Sequence, residues 1–202
     1  MSFSPERVHR IGIDGSSSPA RARDGRQVLG FAMLVQAVVA LSLMLAQQPA
    51  RTPDIHFTPT RHNIADAMLQ LAGVTANDVV YDLGSGDGRI PIIAAQKYGA
   101  RGVGIELDPG LVAQSWQTAN EAEVANRVKF IVGDLFEADL TQATVVTAYL
   151  SASIMRTLEP KLRALKPGTR IVSHQFPMPG WQPARRIKVD EAELLLWIVP
   201  QS

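Results

Sequence analysis

An α/β fold is what this sequence predicts. The expected form is a seven-stranded, mostly parallel sheet with helices on both faces and a C-terminal antiparallel hairpin, preceded by a single hydrophobic helix. Three observations carry the expectation. Short β-branched runs recur between segments long enough for helices, which is the rhythm of a parallel sheet. A glycine-rich loop, "VVYDLGSGDGRI" at 79–90, directly follows the first such run. The chain closes on "ARRIKVDEAELLLWIV", two strand-like runs joined at Asp190-Glu191.

The elements follow in order. A helix is predicted over 61–72, with Ile64, Ala67, Met68 and Leu71 on one face. A strand at 78–83 leads through the glycine loop into a helix at 89–98. Strand 102–106 ("GVGIE") precedes a helix at 109–122, and strand 127–132 ("RVKFIV") ends at "GD". Strand 144–149 ("TVVTAY") precedes a helix at 152–165, and "KPGTR" turns the chain into strand 170–174. With the closing pair this makes seven strands, and no internal repeat is present.

The first fifty residues are different material. Residues 1–27 include "DGSSSPARARDGR" and have no apolar period, which reads as a disordered basic arm. Residues 28–46 form a nineteen-residue apolar run interrupted only by Gln36 and Ser42. At about 1.5 Å per residue such a helix nearly spans a hydrocarbon core of roughly 30 Å, so a membrane anchor is expected. A cleaved signal peptide fits less well, because Met44 would stand at −3 of a cut after Ala46. Residues 47–57 read as a linker, and 58–202 as the functional domain.

Charge narrows the partners. The chain carries 20 Lys+Arg and 19 Asp+Glu, and five of the arginines and three of the acids fall in residues 1–50. The remaining 15 cations and 16 anions make a nearly neutral body, without the basic footprint of a strong nucleic-acid binder. Cysteine is absent, which removes thiolate chemistry and Cys-based zinc.

The glycine loop discriminates between ligands. Dinucleotide binders use G-x-G-x-x-G, so that a pyrophosphate rests on a helix N-terminus. Here Gly84, Gly86 and Gly88 are spaced G-x-G-x-G, around Ser85 and Asp87, and Asp82 precedes them. Asp82 and Asp87 would repel a phosphate. A ligand carrying an ammonium and a sulfonium would be attracted, and S-adenosyl-L-methionine is such a ligand. Glu106 closes the next strand, where a carboxylate can accept from both ribose hydroxyls. Asp134, after the third strand, can accept from an adenine amino group. Leu107 and Leu135 directly follow these two acids and are counted with them. Three acids at three consecutive strand ends share the sheet edge where such folds bind ligands. Asp108 and Asp139 are expected instead as a helix cap and a turn residue.

With these motifs in place, residues 57–199 resemble the seven-strand class I, Rossmann-like methyltransferases. Within them the chain is most similar to the archaeal-type protein lysine methyltransferases and their mitochondrial relatives, which modify the ATP-synthase c subunit and the ADP/ATP carrier. "TPT", "DVVYDLGSGDGRI", "VGIELDP", "ATVVTAYL" and "KLRALKPGTRIVSHQFPMPGWQP" carry the likeness. The sequence departs at Arg61, where a second proline would follow "PT". The resemblance implies a protein-lysine N-methyltransferase, with Thr60 near the cofactor's carboxylate.

Methyl transfer from a sulfonium is an in-line displacement that needs alignment and no metal. A lysine nucleophile must arrive neutral, and deprotonating a group of pKa about 10.4 at pH 7 costs roughly 4–5 kcal/mol. An apolar or aromatic slot lowers that cost. Tyr149 and His174 are the candidate catalytic residues, and Ser151, Phe176 and Trp181 the expected lining of the slot. Each has an alternative: Tyr149 and His174 as hydrogen-bonded core, Trp181 as a pin for its loop.

Other functions compete. A small-molecule methyltransferase would more often carry an inserted lid. A non-catalytic S-adenosylmethionine sensor would keep the same acids. A nucleic-acid amino methyltransferase usually carries Asn/Asp-Pro-Pro-aromatic where this chain has "AYLSAS". The expected partners are therefore a protein acceptor, with integral membrane proteins as candidates, and the membrane itself through 28–46. Arginines ahead of the apolar run would by the positive-inside rule send the domain across. The cofactor is cytoplasmic, so a cytoplasm-facing domain on a single-pass or interfacial anchor is expected.

Overall fold

The computed structural model describes residues 58–201. The expected basic arm, hydrophobic helix and linker lie outside the described residues. Among the described residues, no helix is long and apolar enough to cross a membrane.

The elements in chain order are α1 (His62–Ala72), β1 (Val79–Leu83), α2 (Arg89–Tyr98), β2 (Arg101–Glu106), α3 (Pro109–Glu121) and β3 (Val128–Val132). They continue with β4 (Val145–Ala148), α4 (Ala152–Arg163), β5 (Arg170–His174), β6 (Arg185–Val189) and β7 (Ala192–Ile198). One seven-stranded sheet runs in the order β3-β2-β1-β4-β5-β7-β6. Strands β1 to β5 pair in parallel, and β7 is antiparallel to both β5 and β6. The sequence order reverses between β1 and β4, and at such a switch point the strand ends leave a crevice.

Local chemistry explains the boundaries. Helix α1 stops at Gly73, which takes the left-handed conformation (φ 63°) and donates to the Gln70 carbonyl, while Val74 N–H reaches Leu69. Helix α3 begins with Pro109 behind Asp108, whose carboxylate accepts from the Gly110 and Leu111 amides, the capping role expected of it. Asp139 accepts from the Thr141 amide in a turn. Helix α4 ends at Arg163 rather than 165, since the following Lys166 precedes a proline and is steered away from helical backbone. Helix α1 begins at His62, with Arg61 at the cap offering no side-chain bond.

Period-two alternation splits the core between the two faces of the sheet. Val79, Tyr81 and Leu83 of β1 join Met155, Leu158 and Leu162 of α4 and Trp197 of β7 on one face. Val80 faces the other way, with Ile64 and Met68 of α1, Ile90 and Ala94 of α2, and Leu194 and Leu196 of β7. Helix α1 buries a wider stripe than the expected one, adding Ala65 and Leu69 while Ala67 is only partly covered. It packs over α2, β5 and β7 together, which removes more of its circumference from water.

A polar cluster ties the N-terminal ends of the strands. Asp78 accepts from the Thr75 amide at 2.8 Å and the Thr144 hydroxyl at 2.7 Å, and pairs with Arg170. Arg170 also donates to the Ala72 and Gly73 carbonyls at 2.9 and 3.0 Å, locking the end of α1 to β5. Burial acts to raise the Asp78 carboxyl, but Thr144, the Thr75 amide and Arg170 together hold it below the ordinary aspartate value. Its folded pKa is therefore depressed, so its stabilisation is present above about pH 4 and is lost as pH falls through the lowered value. Asp78→Ala is expected to cost about 3–5 kcal/mol in a urea melt at pH 7, because it strands a half-buried guanidinium. The penalty should shrink towards pH 3; a cost under about 1 kcal/mol at pH 7 would show the cluster to be incidental.

Candidate active site

The site grows from the loop between β1 and α2. Gly84, Gly86 and Gly88 all take positive φ (72°, 54° and 76°), so the backbone turns sharply enough to fold under the sheet edge. Space demands glycine as well as conformation. A Cβ on Gly88 would lie 2.6 Å from the Phe130 ring, and one on Gly104 of β2 would lie 2.5 Å from the Ser85 hydroxyl oxygen. The loop hangs on β2 through the Gly84 and Ser85 amides, which both donate to the Ile105 carbonyl.

The acids at the strand ends differ in their surroundings. Asp87 pairs with Arg89 next door, and Arg89 also donates to the Thr60 carbonyl at 2.6 Å. Burial acts to raise Asp87, but the Arg89 side chain outweighs it and the net shift is downward. Thr60 is buried and is thereby fastened against the loop.

Asp82 has no such cation among the described residues. It is 4% exposed, and the Thr147 hydroxyl donates to it at 2.7 Å from the register-paired position on β4. Burial first, and then the charges of Glu106 and Asp87, push its carboxyl up to about 8 against the Thr147 bond. Glu106 accepts from the Gly86 amide on Oε2 (2.9 Å) and from the Leu107 and Asp108 amides on Oε1 (2.8 and 3.0 Å). Three backbone donors fix its orientation, two on Oε1 and one on Oε2, so Oε2 keeps capacity for a further donor. Asp134 accepts from the Phe136 amide at 2.9 Å. The segment carrying Asp134 is tied down by Lys161 of α4, whose ammonium donates to the Phe136 carbonyl at 2.6 Å.

These groups border one cleft of about 380 Å³ at the C-terminal ends of β1, β2 and β4. Thr60, Asp82, Gly84, Ser85, Glu106 and Leu107 line it, as do Asp134, Leu135 and Tyr149. Apolar walls come from Ile105, Leu111, Phe136, Leu150 and Ile154. A few convergent polar groups on apolar walls suit a ligand with a flat ring and a charged arm. The buried, uncompensated Asp82 favours a cationic arm, and Glu106 and Asp134 stand on neighbouring strands to accept from hydroxyl and amino donors. The donor set fits S-adenosylmethionine.

The sequence-predicted slot residues are distributed unevenly. Tyr149 stacks on His174 with ring centroids 4.0 Å apart, and on its far reach meets Phe176 at 6.3 Å. His174 is buried, its Nδ1 finds no partner among the described residues, and burial lowers its pKa, so the imidazole is neutral at pH 7. Ser151 sits at the start of α4, with its hydroxyl 2.9 Å from that of Ser153. Trp181 is fastened to the scaffold: its carbonyl accepts from Trp197 Nε1 at 2.7 Å and Arg163 lies over its ring at 4.9 Å. Ser151, Phe176 and Trp181 line neither this cleft nor the cavity beside it. Sequence reasoning missed Thr147, Arg89 and Lys161. Thr147 had a signal, since a parallel register from equivalent strand positions sets it beside Asp82. The Lys161 contact spans two elements and left no local trace.

Comparison with known proteins places the geometry. The sequence model of the family described as the ANTKMT methyltransferase domain matches residues 82–185. A protein-lysine N-methyltransferase of Saccharolobus islandicus is 39% identical over 144 residues, covering 70% of this chain and 89% of that protein. The lysine N-methyltransferase of the ATP synthase c subunit from Mus musculus is 34% identical over 157 residues; the match covers 77% of this chain and 62% of that protein. A crystal structure of a Salinibacter ruber protein described as an RNA methyltransferase, in complex with S-adenosyl-L-homocysteine, shares 51% identity at a TM-score of 0.70. That match covers 72% of this chain and 95% of the other. Matched over half its length by the family's sequence model, and over most of the length of a named relative, the chain belongs to the S-adenosylmethionine-dependent methyltransferases of the ANTKMT methyltransferase domain family.

Proposed function

We propose that this enzyme transfers a methyl group from S-adenosylmethionine to the side-chain amine of a protein lysine. The observation that carries the reading is the aromatic corner formed by Tyr149 and the buried His174 beside the cofactor cleft. The lysine activities for which the archaeal and mouse relatives are named support it. Bound S-adenosylmethionine supplies an activated sulfonium methyl. Asp82, Glu106 and Asp134 hold and orient the donor, and Arg89 keeps Thr60 at its edge. Tyr149 and His174 offer the incoming amine an environment poor in water, which favours its neutral, nucleophilic form. In the transfer the amine lone pair forms the new N–C bond. The C–S pair returns to sulfur, and the amine proton leaves to solvent.

RNA is the second reading, favoured by the description of the Salinibacter ruber relative as an RNA methyltransferase. Against it stands the balance of 15 cations and 16 anions over residues 51–202, obtained by subtracting the 5 and 3 of residues 1–50 from the totals of 20 and 19. The apolar run 28–46, outside the described residues, supports attachment to a membrane, beside integral membrane acceptors, and the cytoplasmic source of the cofactor supports a domain facing the cytoplasm.

The test incubates the full chain with methyl-labelled S-adenosylmethionine and separated membrane, cytosolic protein and RNA fractions. The expected result is a discrete protein band whose hydrolysate contains methyllysine, enriched in the membrane fraction. Label confined to RNA would overturn the lysine reading and establish the second one.

A further inference from the structure

A second cavity, of about 250 Å³, adjoins the cofactor cleft and shares only Thr58 and Tyr149 with it. Its walls come from the segment ahead of α1, from His174 and Gln175 at the end of β5, and from the turn between β6 and β7. We infer that this cavity is the acceptor's entrance, and that Asp190 and Glu191 at its rim select a cationic side chain. The inference rests on the amine reading above and deepens it.

Geometry gives the first reason. In-line displacement needs the nucleophile and sulfur on opposite sides of the methyl group, so the acceptor must come from a space that meets the donor's cleft without being part of it. The second cavity meets it at Tyr149.

Chemistry gives the second. His174 lines this cavity and is 8% exposed. Its ring stacks on Tyr149, which also lines the cavity, and an aromatic face of this kind attracts an ammonium. Backbone conformation adds to this. Three non-glycine residues among those described have positive φ, and Gln175 (75°) and Asp190 (52°) both line this cavity. A two-residue hairpin turn would take glycine or asparagine at that position with less strain.

The charged groups around the entrance are Arg61, Asp190 and Glu191, with His174 behind them. Asp190 accepts from the Asn63 side-chain amide at 2.8 Å, which turns its carboxylate towards α1, and Glu191 lies 3.7 Å from the exposed Lys188. Among the lining residues two carboxylates stand against the one Arg61 guanidinium. Lys188, outside the lining and exposed, screens Glu191 only weakly, so the rim attracts an ammonium. The apolar wall of Ile64 and the Tyr149 ring then accommodate its aliphatic stem.

Two bisubstrate probes test the assignment on the full chain. Both replace the sulfonium of the donor by a tertiary amine. One carries a four-carbon arm ending in ammonium, and the other a plain butyl arm. Calorimetry should give about five- to tenfold tighter binding of the ammonium probe to the wild type. In the double variant Asp190→Asn/Glu191→Gln the two probes should bind within about twofold of one another. S-adenosylhomocysteine affinity should stay unchanged, which reports an intact fold and cleft. A preference for ammonium that persists in the double variant overturns the assignment to Asp190 and Glu191 and leaves the amine reading standing. Equal binding of both probes to the wild type overturns the amine reading with it.

Discussion

Asp82→Asn is expected to weaken cofactor binding severely while making the ligand-free protein more stable. The carboxyl is buried, has only the Thr147 hydroxyl as a donor among the described residues, and is raised to about 8 by burial ahead of the Glu106 and Asp87 charges. Its folded pKa thus lies above the unfolded value of about 4, and the native state holds an extra proton between the two. The stability this confers is full below about pH 4 and is lost as pH rises to about 8. Asparagine keeps an oxygen for Thr147 and never ionises. The variant should therefore match the wild type near pH 4 and exceed it increasingly as pH rises, by up to about 5 kcal/mol at pH 8.

Binding runs the other way. A cationic ligand needs Asp82 ionised, so below pH 8 its binding releases a proton, and affinity should climb with pH until Asp82 is ionised. Removing one partner of a buried charge pair costs about 2–5 kcal/mol, which weakens binding by roughly two to three orders of magnitude. Calorimetry in two buffers of different ionisation enthalpy reads both the affinity and the released proton. An Asp82→Asn protein that binds S-adenosylmethionine normally would remove Asp82 from the site.

Trp197→Ala should produce the largest loss of stability. Trp197 is fully buried on β7, in the cluster that holds Met155, Leu158 and Leu162 of α4. Its indole N–H also anchors the Trp181 carbonyl at 2.7 Å, and the two rings lie 6.4 Å apart. Truncation leaves a ring-sized cavity and an unpaired carbonyl, for about 3–5 kcal/mol or more. At about 2–4 °C per kcal/mol in a domain of this size, Tm should fall by about 10 °C or more. Trp197→Phe refills most of the space and should recover more than half of the loss. Thermal and urea melts of both variants check this, and an alanine variant that melts within about 2 °C of the wild type would show that the core closes over the gap.

Most element boundaries were legible because their causes are local. Glycines end α1 and α2, Asp108 and Pro109 start α3, and β-branched runs mark each strand to within about two residues. The site was legible in part. Asp82, Glu106 and Asp134 stand at consecutive strand ends, so their meeting at one cleft follows from the parallel order of β1, β2 and β3. The aromatic candidates were harder. Tyr149, His174, Phe176 and Trp181 are similar in sequence terms, yet the first two meet at a cavity wall while Trp181 is tied to Trp197.

The sequence by itself determined the α/β class, the ligand chemistry of the glycine loop and the closing hairpin. Each depends on residue type and on spacing along one stretch of chain. Tertiary structure alone decided that Asp82 goes without a cation among the described residues. Arg89 neutralises Asp87 within two residues, while Asp82 is left to a hydroxyl from a strand sixty-five residues away. It also decided that the turn at Asp190-Glu191 comes to lie beside Tyr149, across the strand that antiparallel β7 inserts next to β5. Desolvation and charge pairing are sums over everything that surrounds a group, and a linear sequence does not carry those neighbours until the sheet is assembled.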